Sequence, residues 1–103
     1  MRKAKVYFRD QLAGTLIELE KNRQYRFSYL DDYDGPAISL TMPVTQKDYE
    51  FTGFPPFFDG LLPEGFQLEA LLRKRKIDRN DLFGQLVIVG QDLVGAVTVA
   101  EDK

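Results

Sequence analysis

The stretch FPPFFDGLLPEG, Phe54 to Gly65, decides how the rest of the chain is read. It holds three of the five prolines and three of the eight phenylalanines, a mixture foreign to a polar surface loop. Pro55-Pro56 stiffens one end, and Asp59-Gly60 predicts a sharp reversal. Phe57, Phe58, Leu61 and Leu62 call for burial. Pro63-Glu64-Gly65 then leads directly into a helical pattern. The stretch reads as a rigid connector that packs against a core and holds the next helix at a fixed angle.

Downstream of it, Phe66 to Lys76 reads as a helix. Leu68, Leu71 and Leu72 fall at i, i+3 and i+4 and predict its buried stripe. With Leu68 at zero on the helical wheel, Leu71 and Leu72 lie about 60° and 40° to either side, and Phe66 about 160° away, at ~100° per residue. Phe66 is therefore a large aromatic off the core stripe, in the first turn after a rigid loop. Such a residue is placed to anchor in a partner's pocket, or to fold back on Phe57 or Phe58 as a staple. Arg73-Lys74-Arg75-Lys76 crowds the last turn, and Glu64 precedes the first; both placements complement the helix dipole. Asp78-Arg79-Asn80-Asp81 offers a cap for a second helix, Asp81 to Val89. Leu82, Phe83, Leu86 and Val87 form its apolar face, with Gly90 in the C′ position.

Upstream, Lys3 to Phe8 alternates, with Ala4, Val6 and Phe8 on one face. Leu12 to Glu20 is a second strand, with Leu12, Leu16, Ile17 and Leu19 as apolar positions and a bulge expected at Gly14. Tyr25, Phe27 and Tyr29 mark a third. Short turns at 9–11 and 21–23 predict an antiparallel meander. Asp31 to Pro36 is a charged loop. Ile38 to Met42 alternates briefly and predicts an edge strand ending at Pro43. Thr45 to Thr52 reads as loop. Gly95 to Val99 is a closing strand, and Ala100 to Lys103 a tail. The expected fold is α+β: a small antiparallel sheet, meander plus C-terminal strand, with two helices packed on one side.

At 103 residues the chain is expected to be a single domain, 1–103. A net charge of −2 argues against direct contact with nucleic acid. The absence of cysteine and histidine removes disulfides, thiolate or imidazole metal sites and Ser-His-Asp chemistry. No metal, cofactor or catalytic residue is expected. No apolar run approaches the length of a membrane span, and the N-terminus lacks the apolar region of a signal peptide, so the expected location is cytoplasmic.

Gly90 to Gly95 has the glycine spacing of a phosphate-binding loop, but Ala96 and Val97 stand where Lys and Ser/Thr are needed. Asp59 and Glu64 are better explained by a turn and a helix start than by acid/base work. The cluster Arg73 to Lys76 is too small for a nucleic-acid footprint, and reads as a solvated helix end or as the mate of an acidic protein patch.

FFDGLLPEG (Phe57 to Gly65), the leucine-bearing helix, VGQDLVGAVTV (Val89 to Val99) and GPAISLTMP (Gly35 to Pro43) together resemble the N-terminal subdomain of HipA-type Ser/Thr kinase toxins. The resemblance covers nearly the whole chain. It departs at Gly60, where members of the family often carry Asn. None of the kinase motifs is present. The resemblance therefore implies a separate lobe, like the HipS antitoxin of tripartite HipBST systems. It implies a non-enzymatic protein that binds and inhibits a HipT-like kinase, or else a structural lobe that stabilises or orients that kinase. A HipB-like DNA-binding protein would be a further partner in a ternary complex. It also gives Pro63, Glu64, Gly65, Phe66 and Arg73 a partner-binding role, with Pro63 to Phe66 near the kinase active site.

Overall fold

A computed structural model describes residues 1–93 and 95–102; Val94, inside the Gly90–Gly95 stretch, and Lys103 of the tail lie outside the described residues. Apolar–polar alternation sets the first three strands: β1 (Arg2–Phe8), β2 (Gln11–Glu20) and β3 (Gln24–Tyr29). They are followed by β4 (Asp48–Thr52), α1 (Pro56–Asp59), α2 (Gly65–Arg75), α3 (Leu82–Val89), a 3₁₀ turn (Gly90–Asp92) and β5 (Val97–Glu101). The strands form one sheet in the order β4-β3-β2-β1-β5, and every neighbouring pair is antiparallel. The helices lie alongside it, an α+β fold as the sequence predicts.

Register explains which side chains meet. Ala4 faces Leu16, Leu16 faces Phe27, and Val6 faces Val99. All five are wholly buried, and Phe58 of α1 with Phe83 and Leu86 of α3 joins the same core. Each of these larger side chains, Ala4 aside, contributes about 1.5–3 kcal/mol by leaving water. Arg9 and Asp10, both at positive φ, make the two-residue turn whose twist suits a hairpin. The pairing slips between Val6 and Tyr7 and leaves Ala13 as the extra residue, so the bulge expected at Gly14 falls beside it.

Several expectations are corrected. Ile38 to Met42 is not a strand. A strand would put Leu40 on the same face as Ile38 and Met42, yet those two are buried while Leu40 is fully exposed. Leu40 sits in a turn closed by Met42 N–H to Ser39 O, 3.1 Å. The Tyr29 hydroxyl accepts from Ile38 N–H at 3.0 Å and donates to Met42 O at 2.5 Å, which fixes the loop from a side chain. The edge strand is β4 instead, within the segment read as loop; Tyr49 and Phe51 pair across from Phe27 and Tyr25. The closing strand runs to Glu101, into the expected tail. A third, short helix forms within the connector. Gly90 is not a left-handed cap: its φ is −57°. Glycine is needed there because a Cβ would collide with the Val99 carbonyl, so α3 could not approach β5.

On β2 only Leu16 of the four expected apolar positions is buried, and the next inward residue is Glu18. Its carboxylate takes two bonds from Arg2, Nε to Oε1 at 2.8 Å and Nη2 to Oε2 at 3.0 Å, and a third from the Tyr25 hydroxyl at 3.1 Å. The same guanidinium donates to both oxygens of Asp81, at 3.1 and 2.8 Å. Asp81 in turn accepts from Gly84 N–H at 3.1 Å and caps α3. Arg2 thus joins β1, β2 and the start of α3, and its guanidinium carbon lies 5.0 Å from the centre of the Phe83 ring.

Burial pushes the Glu18 carboxyl up, but the bonds from Arg2, Asn22 N–H and Tyr25 outweigh it and hold it below the usual carboxylate range. Bonding to Arg2 holds Asp81 down against a smaller burial effect. Burial, then the Glu18 bond, pushes the Tyr25 phenol up to about 12. Both carboxyls therefore bind protons less readily folded than unfolded. Their stabilisation is present above the ordinary values of 4.5 and 3.8 and is lost as pH falls through the lower folded ones. The urea midpoint is expected to drop between about pH 5 and pH 3, and to drop less in Glu18→Gln. Arg2→Met is expected to cost about 2–3 kcal/mol in urea unfolding at neutral pH, less than the full value for a buried pair because Arg2 is 36% exposed.

Candidate partner-binding surface

The connector is built from the inside outward. Pro55 and Phe58 are fully buried and Leu62 nearly so. Phe54 meets Tyr25 edge-on at 5.3 Å between ring centres, and Phe58 meets Phe27 at 6.0 Å. Pro56 starts a single helical turn, closed by Asp59 N–H to Pro55 O and Gly60 N–H to Pro56 O, both 3.0 Å. Gly60 keeps an ordinary right-handed φ of −65°, so the expected reversal at Asp59-Gly60 is a helical turn. Phe57 packs edge-on against Phe58 at 5.1 Å. The connector is packed and braced, as its sequence predicts.

Pro63 is half-buried, and Glu64 is an extended residue at the N-cap whose side chain makes no capping bond. Gly65 turns the chain with a φ of +58°, which an L side chain resists by roughly 1–2 kcal/mol. Phe66 then projects from the first turn of α2 and is 95% exposed. It does not staple onto Phe57 or Phe58; those two rings pack on each other. Leu68, Leu71 and Leu72 are half-buried rather than buried, and no residue of α2 is buried. Arg73, Lys74, Arg75 and Lys76 are exposed, and among the described residues none makes an ion pair. Beside the connector lies a groove of about 390 Å³, lined by Leu61, Pro63, Gln67, Val89 and Leu93 among others.

Pro63, Glu64, Gly65 and Phe66 are brought together by sequence adjacency, and Arg73 follows two helical turns later. Asp59 and Glu64 are both exposed, and among the described residues neither carboxylate makes an ion pair. Among the described residues no cluster of three metal-ligating side chains occurs, and no helix is long and apolar enough to cross a membrane. Sequence reasoning missed Leu40, fully exposed, because it sits in a segment read as strand, and Val44, 46% exposed, because it falls between that segment and the one read as loop. The failed alternation at Leu40 becomes visible only with the fold.

Residues 4–100 match the family described as the HipA N-terminal domain. The chain belongs to the HipA N-terminal domain family. An uncharacterised protein of Haemophilus influenzae is 33% identical over 103 residues, a span that is the whole of this chain and 95% of that protein. "Putative kinase Y4dM" of Sinorhizobium fredii is 33% identical over 95 residues, and there the match covers only 23% of the longer protein. A solved structure, "N-terminal domain of HipA toxin", superposes with a TM-score of 0.77 at 29% identity, over 100% of this chain and 94% of that one. This HipA N-terminal domain thus has a toxin–antitoxin related role, and the matching region is the N-terminal domain rather than a catalytic one.

The two neighbouring aromatics predict opposite consequences. Phe58→Ala is expected to cost about 3–5 kcal/mol in urea unfolding, as a cavity in a packed core. Phe66→Ala is expected to change stability by less than about 0.5 kcal/mol.

Proposed function

We propose that this chain is a HipS-type antitoxin that binds a HipT-like Ser/Thr kinase and inhibits it without catalysing a reaction itself. The observation that carries this reading is Phe66: a large aromatic, 95% exposed, on a backbone held by the braced connector and Gly65. Among the described residues, nothing in the packing accounts for it. An aromatic in that position contributes most when it enters a desolvated pocket, and rigid presentation lowers the entropy lost on binding. Pro63 to Phe66 would lie near the kinase active site, with the adjoining groove receiving apolar side chains of the kinase. A HipB-like DNA-binding protein would complete a ternary complex.

The test is co-purification with the HipT-type kinase encoded beside this chain, followed by a kinase assay on the complex. The expected result is a stable complex with suppressed activity. Phe66→Ala is expected to weaken inhibition at least tenfold, about 1.4 kcal/mol, while the protein stays folded. A stable complex with full kinase activity would instead identify a lobe that orients or stabilises the kinase. The absence of any complex would overturn both.

A further inference from the structure

The outward face of α2 carries more than Phe66. With Phe66 at zero on the wheel, Ala70 lies about 40° to one side and Arg73 about 20° to the other, at ~100° per residue. Phe66, Ala70 and Arg73 are spaced i, i+4 and i+7, and all three are exposed; Lys74 borders them. The half-buried Leu68, Leu71 and Leu72 occupy the other side. This is the spacing by which a helix lies in a groove.

Arg73 has a natural partner one turn back, Glu69, in the i,i+4 arrangement that stabilises helices. That partner is taken. Glu69 is bonded to Arg79, 2.6 Å between Oε2 and Nη2, in the loop that leads to α3. The ion pair links α2 to that loop, and among the described residues the cations at its outer end have no carboxylate partner. The helix dipole favours cations there but does not neutralise them. Moreover, α2 has 11 residues and buries none of them, and a helix of that length is marginal in water without a surface to cover it.

We infer that α2 docks lengthwise on the kinase, with Phe66 in an apolar pocket, Ala70 against a close-packed wall, and Arg73 with Lys74 on a carboxylate patch about 10 Å further along, the rise of seven residues. This inference rests on the antitoxin reading and specifies the surface that reading requires. The acidic pole steers association and fixes the direction of the helix, while the aromatic pole holds the complex. Carboxylates are the favoured anion because the chain as a whole carries −2, which weakens its attraction to a polyphosphate backbone.

Association of the full chain with the HipT-type kinase, followed in stopped flow at about 50 and about 300 mM salt, tests it. The wild-type rate is expected to fall with salt. The double substitution Arg73→Glu and Lys74→Glu is expected to slow association about tenfold or more at low salt and to flatten the salt dependence. Lys3→Glu, on an exposed residue of β1, is expected to change the rate less than about twofold. Circular dichroism checks that each variant is folded. An unchanged rate and salt slope in the double variant would overturn the inference and leave the antitoxin reading standing. No wild-type binding would overturn the reading itself and the inference with it. A DNA duplex shifted by this chain alone at low salt, and released by the double variant, would assign the cations to nucleic acid and overturn the inference too.

Discussion

A single guanidinium, that of Arg2, connects the β1–β2 hairpin to the start of α3. It forks onto Glu18 from one side and onto Asp81 from the other, 79 residues away. Glu18 is 3% exposed and would be costly as a lone buried charge. Arg2, Tyr25 and the Asn22 N–H together satisfy it. Through Asp81 the same cation fixes the N-cap of α3, and α3 carries Phe83 and Leu86 into the core. Charge pairing, helix capping and apolar burial therefore depend on one another.

In contrast to this tightly bonded cluster, α2 buries none of its residues. It is held by the connector before it, by half-buried leucines and by the Glu69–Arg79 pair. That asymmetry suits a module whose core keeps its shape while one helix is kept for contact. The connector is the joint between the two regimes: Pro55, Phe58 and Leu62 belong to the core, and Phe66, four residues past Leu62, belongs to the solvent.

Phe54 to Gly65 was legible as a braced connector because proline, glycine and aromatic residues have strong local meanings. The first three strands were legible because their alternation is clean. Elsewhere local pattern misled. Ile17 and Leu19 count as apolar positions of β2, yet parity keeps them out of the core, since Leu16 and Glu18 are the inward pair. Ile38 to Met42 alternates like a strand, but its backbone is bonded to the Tyr29 hydroxyl. Asp48 to Thr52 looked polar enough for a loop, yet an edge strand with one face open to water tolerates Asp48, Glu50 and Thr52 there.

By itself the sequence determined the class of fold, a cap within Asp78 to Asp81, the direction in which Phe66 leaves α2, and the likeness to the HipA N-terminal domain. All of these rest on local periodicity, on residues with restricted backbone choices, or on short motifs. Only the tertiary structure decided that Glu18 is buried against Arg2, that β4 forms an edge of the sheet, that Gly90 exists to admit the Val99 carbonyl, and that Phe66 stays 95% exposed. Each of those depends on which distant residues come into contact, and that is set by cross-strand register and helix packing.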